Sequence, residues 1–198
     1  MTRTARRGPS AGADGGARIG ELAPPAVGRT HHGEELRLEQ LAGAPVLVMF
    51  YPFAFSRVCG SELAELQARR AELRRLGVRA LAVSCDAIHS LRAYAEHLVA
   101  AAGSAGDVGD VGDAEDADDG AGPAAGDGLG VELVSDFWPH GRIAQDFGAF
   151  DAERGVATRT SYLLDAELVV RHIQHVPTHQ ARELDETLDV LARLSRIP

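Results

Sequence analysis

The chain contains no lysine, and only two cysteines in 198 residues. Two thiols cannot build a disulfide framework, so each is expected to be either a buried packing residue or a reactive nucleophile. With every cationic side chain an arginine, the missing lysine reads as codon composition before any binding role. Long apolar runs are also missing. The longest, Pro45 to Phe55, spans about 11 residues against the roughly 20 that a spanning helix needs. The basic start MTRTARR passes into glycine and alanine without the apolar stretch of a secretory signal. These absences predict a cytoplasmic protein with no membrane segment. Positive charge is in deficit too: the net charge of −9 argues against a general nucleic-acid or anionic-membrane surface.

What is present is ordinary globular composition, 45% hydrophobic and 25% charged, at a length that suits one domain. The acidity is concentrated. Residues 101 to 130 hold seven Asp and one Glu with no basic residue, which leaves the rest of the chain near −1. The expected organisation is therefore a disordered tail over residues 1–17 and one domain over 18–198, interrupted by an acidic low-complexity insertion at about 102–130. Its recurring Asp fits neither the EF-hand loop nor the glycine-rich calcium repeat, so a solvated loop is the reading.

PVLVMFYP, from Pro45, is continuously apolar and predicts a strand buried on both faces. The next stretch, SRVCGSELAELQARRAELRRLG, places Leu63, Leu66, Leu73 and Leu76 at helical spacing, with acids early, arginines late and Gly77 as the stop. VRALAVSCD then reads as a second strand, completing a parallel βαβ unit. Residues Ile88 to Ala102 read as helix. After the insertion come a strand in VELVSD and a short helix in PHGRIAQDFG with Pro139 near its first turn. RTSYLLDAELVVRHIQHV suggests a hairpin turning at Asp165 to Glu167. In the last helix Leu184, Leu188, Leu191 and Leu194 share a face, and Thr178 is available as N-cap. The fold class expected is α/β, a central mixed sheet flanked by helices.

Cys59 falls between the end of the first central strand and the start of the long helix, the crevice where such sheets commonly bind ligands. First-turn N–H groups and the helix dipole favour a thiolate there. Ser56 precedes it by three residues and Pro52 by seven. This Pro-x-x-x-Ser/Thr-x-x-Cys pattern at a strand-to-helix junction resembles the peroxidatic motif of the peroxiredoxins. IGELAPPAV resembles that family's Gly-x-x-Ala-Pro opening, and GVATRTSYLLD its arginine-bearing strand. SDFWPHG followed by GRIAQDFGAF is similar to the single-cysteine, alkyl hydroperoxidase E-like subgroup. The resemblance covers most of residues 19 to 195, the acidic insertion being the main departure.

The resemblance implies a thioredoxin-like fold and a thiol-dependent peroxidase that reduces hydrogen peroxide, organic hydroperoxides or peroxynitrite through a cysteine sulfenic acid. No metal, haem, flavin or other cofactor is expected. The implied partners are a small-molecule peroxide, an external thiol or thioredoxin- or glutaredoxin-like reductant, and a second copy of the chain in a homodimer. The implied catalytic residues are Cys59, Ser56, Pro52 and Arg159, with Glu62 placed to orient an arginine. Taken alone, Ser56 is equally an N-cap, Pro52 a strand-ending residue, Arg159 a surface cation and Glu62 a dipole-favoured surface acid. Cys85, ending the second strand within AVSCD, reads as a buried small residue, the alternative being a local resolving thiol. Phe137 and Trp138 are expected to pack the core or a subunit contact. His172 and His175, three apart on a strand, face opposite ways and make no ligand pair.

Elementary chemistry bears on the arginine. Lowering a thiol's pKa from about 8.5 to about 6 raises its thiolate fraction near neutral pH only about 10–30-fold, while nucleophilicity falls with basicity. Any large acceleration must therefore come from donors aimed at the peroxide oxygens. Two rivals use the same cysteine: a peroxide-sensing or chaperone-like module with little turnover, and a cysteine hydrolase, for which no His base is marked.

Overall fold

The computed structural model describes residues 16–105 and 129–194. Seven strands form one mixed sheet: β1 (Val27–Thr30), β2 (Glu35–Arg37), β3 (Val46–Phe50), β4 (Arg79–Ser84), β5 (Glu132–Ser135), β8 (Arg159–Leu164) and β9 (Val170–Val176), in the spatial order β2-β1-β5-β4-β3-β8-β9. β6 (Phe150–Asp151) and β7 (Val156–Ala157) pair separately. β3, β4 and β5 are mutually parallel, and the other neighbours in the large sheet are antiparallel.

The five buried residues of β3 explain its unbroken apolar sequence. Leu47 and Met49 join Tyr51 against α1 (Arg57–Ala68), α3 (Ile88–Ala105) and α5 (Leu184–Leu194). Val46, Val48 and Phe50 face the other way, onto α4 (Arg142–Phe147) and Leu38 and Leu41 of a short 3-10 turn. The expected βαβ unit and closing hairpin are both formed, Val46 pairing with Arg79 and Leu164 with Val170.

Several local expectations are corrected. The long helix divides at Arg69 (φ −92°, ψ 10°) into α1 and α2 (Arg70–Arg75). Arg69 there donates to Glu72 at 2.8 Å and to Asp185 of α5 at 2.7 Å. α3 continues to Ala105, three residues past its expected end. Thr178 is not the N-cap of the last helix, which starts only at Leu184, because Arg182 is first drawn into the interior. Pro139 precedes its helix instead of opening it. α4 starts at Arg142 after Gly141, whose left-handed φ of 66° and near contact with the Phe150 ring suit a residue without Cβ. Phe137 and Trp138 do not pack the core, being 53% and 84% exposed.

The tail expected over 1–17 and the insertion expected over about 102–130 lie mostly outside the described residues. Where described, Ala17 N–H donates to Phe147 O and Gly130 N–H to Gln67 Oε1. No helix among the described residues is long and apolar enough to cross a membrane.

Candidate active site

The site begins where β3 ends. Between Phe50 and α1 the chain must reverse within a few residues, and it does so through Phe55 with a left-handed φ of 59°, a conformation costing a non-glycine residue about 1–2 kcal/mol. Two contacts offset that cost. The Phe55 ring lies 4.8 Å from the Tyr94 ring of α3, and Ala54 N–H donates to Asp86 Oδ2 at 2.8 Å. Asp86 follows β4 and also accepts from Ser84 Oγ at 2.9 Å. The loop carrying Pro52 and Ser56 is thus tied to the end of the neighbouring strand. Pro52 itself is buried in this loop.

Ser56 is the N-cap of α1, its Oγ accepting from Cys59 N–H at 3.4 Å. The capping reading and an active-site position coincide in this residue, because its hydroxyl still has a proton to donate. Cys59 therefore sits in the first turn, with no exposed surface.

Arg159 opens β8, one strand in from the edge of the sheet, and is only 2% exposed. Each of its three nitrogens has a partner. Nη2 donates to Cys59 Sγ at 3.2 Å, Nη1 to Glu62 Oε2, and Nε to the Thr178 carbonyl at 2.7 Å. The guanidinium fork is held on two sides and presents its third to sulfur. Glu62 lies one turn along α1 from Cys59 and is 4% exposed.

Arg182 completes the group and was not anticipated from sequence. Its Nε and Nη2 donate to the two Glu62 oxygens at 2.9 Å each, its backbone N–H donates to Oε1 at 2.8 Å, and Nη1 reaches Phe50 O and Ser161 Oγ. Two buried guanidiniums face one buried carboxylate, so the group is balanced when the sulfur facing Arg159 carries negative charge. Nothing in the local sequence THQARELD marks Arg182 as internal. A buried carboxylate shared between two arginines is visible only once β8, β9 and α1 are assembled.

The other cysteine is differently placed. Cys85 follows β4, where burial, with the Asp136 carboxylate adding to it, pushes its thiol up to about 11. The structure thus joins Cys59, Ser56, Arg159 and Glu62 in one connected group, places Pro52 in the same loop, and leaves Cys85 outside the group's hydrogen bonds. This arrangement can hold a nucleophilic sulfur and stabilise charge developing beside it. Among the described residues, the three-member set of metal-ligating atoms is formed elsewhere, by His31, His32 and Glu132.

The sequence profile of the AhpC/TSA family matches residues 19–173, which include Cys59, Arg159 and the strand pairing that joins them. The chain belongs to the AhpC/TSA family. Alkyl hydroperoxide reductase E of Mycobacterium tuberculosis is 25% identical over 178 residues, 89% of this chain and 97% of the relative. Peroxiredoxin-2 of Macaca fascicularis is 27% identical over 179 residues, 89% of this chain and 78% of the relative. In fold the chain is similar to Enterococcus faecalis AhpC, with TM-score 0.68 and 22% identity over 89% of this chain and 92% of that one. Peroxiredoxin 6 of Arenicola marina gives TM-score 0.71 at 18% identity, covering 89% and 73%. As an alkyl hydroperoxide reductase E-like member of the family, with its thioredoxin-like fold, the protein is a thiol-dependent peroxidase.

Proposed function

We propose that Cys59 is the thiol that meets the peroxide, that Arg159, Ser56 and Pro52 form the wall against which the peroxide binds, and that Glu62 positions Arg159. The observation that carries this is the 3.2 Å contact of Arg159 Nη2 with Cys59 Sγ, made by a guanidinium already fixed through its other two nitrogens.

The Cys59 thiolate attacks the OH oxygen of a hydroperoxide. The S–O bond forms as the O–O bond breaks, Cys59 is oxidised to a sulfenic acid, and the departing alkoxide or hydroxide takes up a proton. Negative charge moves from sulfur to the leaving oxygen, so a permanently charged donor between the two serves both ends of the step. An external thiol then condenses with the sulfenic acid, releasing water and forming a mixed disulfide. A second thiol equivalent displaces Cys59 from it. The reductant is proposed to be external, in keeping with a Cys85 thiol that burial and then the Asp136 carboxylate push up to about 11, which disfavours it as an attacking thiolate at neutral pH.

The substrates proposed are hydrogen peroxide, organic hydroperoxides and peroxynitrite. The reductants proposed are low-molecular-weight thiols or thioredoxin- and glutaredoxin-like proteins. A cytoplasmic homodimer is part of the same reading: Phe53, Phe55, Phe137 and Trp138 are all exposed, and both segments flank Asp86, giving an apolar surface beside the site that a second copy would cover. The acidic insertion takes no part in the reaction. Its deletion over residues 106–127 is expected to leave Cys59 oxidation unchanged, since loop entropy varies slowly with length, and a collapse of that rate would place the segment over the site. The main test is peroxide consumption by the purified protein with a panel of thiol donors, beside Cys59→Ser. Sustained turnover in the parent and none in the variant is expected. A single oxidation without turnover for every donor would make the protein a sensor.

A further inference from the structure

We propose that His31, His32 and Glu132 form a binding site for a divalent transition metal of the zinc class, bracing the β1–β2 turn against the start of β5. The two histidines are adjacent in sequence and follow β1. Because β1 runs antiparallel to β5, with Thr30 opposite Val134, the end of β1 lies over the beginning of β5, and His31 N–H donates to Leu133 O at 2.9 Å. That register delivers His31 Nδ1 to 3.1 Å from Glu132 Oε1, the two side chains being 4% and 13% exposed.

The ligand atoms of all three residues lie within 4.8 Å of one another. Nitrogen and oxygen ligands about 2.0–2.2 Å from a tetrahedral zinc stand roughly 3.4 Å apart, so the His31–Glu132 pair is already near ligand spacing. His32 is exposed, and its ring lies beside that of His31 with centroids 4.0 Å apart, so the third ligand stands next to the buried pair. The turn behind the ligands is well supported: Thr30 N–H donates to Glu34 O, Glu34 N–H to Thr30 Oγ1, and Arg92 Nε to the His31 carbonyl. Among the described residues, Arg92 and Arg29 reach this turn, and both direct their guanidiniums at main-chain oxygens.

Two imidazoles and one carboxylate select a zinc-class ion over calcium or magnesium, which prefer all-oxygen shells, and leave a fourth position for water. Glu132 opens β5 at the N-terminal end of the parallel strands, whereas Cys59 follows the C-terminal end of β3. The metal therefore stands apart from the peroxidase chemistry and acts as a clamp on the fold. The expectation that the chain holds no metal rested on the eight histidines showing no ligand pattern in sequence; the carboxylate that completes this set, Glu132, lies far along the chain on β5, which pairs with β1 only in the folded sheet.

The rival account is a plain buried His31–Glu132 ion pair, and His32 separates the two, since an ion pair does not need it. The experiment is Zn2+ titration against a chromophoric chelator, using full-length protein carrying Cys59→Ser and Cys85→Ser so that no thiol competes. One equivalent is expected to bind and to raise Tm. His32→Ala, an exposed change that spares the core, should weaken binding by at least about 10–100-fold and remove the Zn2+-dependent rise in Tm. Glu132→Gln should do the same. The Asp-rich insertion is identical in all of these proteins, so its contribution cancels. Superimposable titrations for the parent and His32→Ala, or no bound equivalent in the parent, would overturn the proposal.

Discussion

The two cysteines follow neighbouring parallel strands and are both buried, yet their surroundings differ in sign. Cys59 occupies the first turn of α1 with a guanidinium 3.2 Å from its sulfur. Cys85 follows β4 directly, where burial and then Asp136 push its thiol up to about 11. Burial by itself therefore separates nothing. What separates them is which charge the assembled sheet brings alongside: Arg159 from the antiparallel neighbour β8 in one case, carboxylates from the β4 and β5 ends in the other.

The largest expected effect removes one side of this contrast. Cys59→Ser should abolish peroxide reduction while Cys85→Ser retains most of the rate and the turnover, measured with the same thiol donor. Mass spectrometry after one equivalent of peroxide should find sulfenic acid on Cys59, and a Cys59–Cys85 disulfide would erase the distinction. Next, Arg159→Lys keeps the charge beside Cys59 but loses the fork. Removal of one aligned donor typically costs 10²–10³ in rate, so peroxidase turnover should fall ~100-fold while Cys85 is untouched. Glu62→Gln comes third. It strips two buried guanidiniums of their shared carboxylate, and breaking such a pair costs about 3–5 kcal/mol. Denaturant titration should report a loss of that order, and a loss under about 1 kcal/mol would mean that the two arginines hold their places without it.

The smallest effect lies on the Cys85 side. Burial pushes Asp136 up to about 6, against the N–H bonds from Ala144 and Ile143 that act the other way. The folded state then holds that proton more tightly than the unfolded chain, whose carboxyl titrates near 4. The resulting stabilisation is full below about pH 4 and is lost as pH rises through about 6. Urea unfolding at intervals across that range should show wild type losing stability relative to Asp136→Asn. The same variant should bring the Cys85 thiol modestly down, read by the pH dependence of alkylation in the Cys59→Ser background. A difference between the two proteins that stays flat from pH 4 to 6 would contradict the assignment.

Much of this was legible in the sequence, for physical reasons that can be named. β3 announces itself because a strand covered on both faces has no polar alternation, and Cys59 because it falls between that strand and the start of a helix, with the Pro52, Ser56 and Cys59 spacing adding its resemblance to the peroxidatic motif. The hairpin of β8 and β9 was likewise readable from its two apolar runs. β1 and β2 were not. At four and three residues, mostly exposed or half-buried, they carry no period to detect and are defined by their pairing. Arg182 was hidden for a related reason: a charged residue in THQARELD reads as the polar face of a helix, whereas its actual partner Glu62 lies 120 positions earlier. Glu62 could be suspected of orienting an arginine, but not of serving two. Trp138 shows the reverse limit, a large aromatic whose exposure of 84% no local pattern predicts.

The central claim is that Arg159 works by aligning the peroxide and not only by charging the sulfur. Stopped-flow oxidation of Cys59 by hydrogen peroxide, in wild type and Arg159→Lys across pH, tests it most directly when thiolate is followed in parallel by its ultraviolet absorbance. Full ionisation of an ordinary thiol with a pKa of about 8.5 can raise its thiolate fraction near neutral pH only about 10–30-fold. At matched thiolate fraction the variant is predicted to react ~100-fold more slowly or worse. If instead its rate follows the thiolate fraction alone, Arg159 is only an electrostatic neighbour of Cys59, and its fixed guanidinium does not align the peroxide.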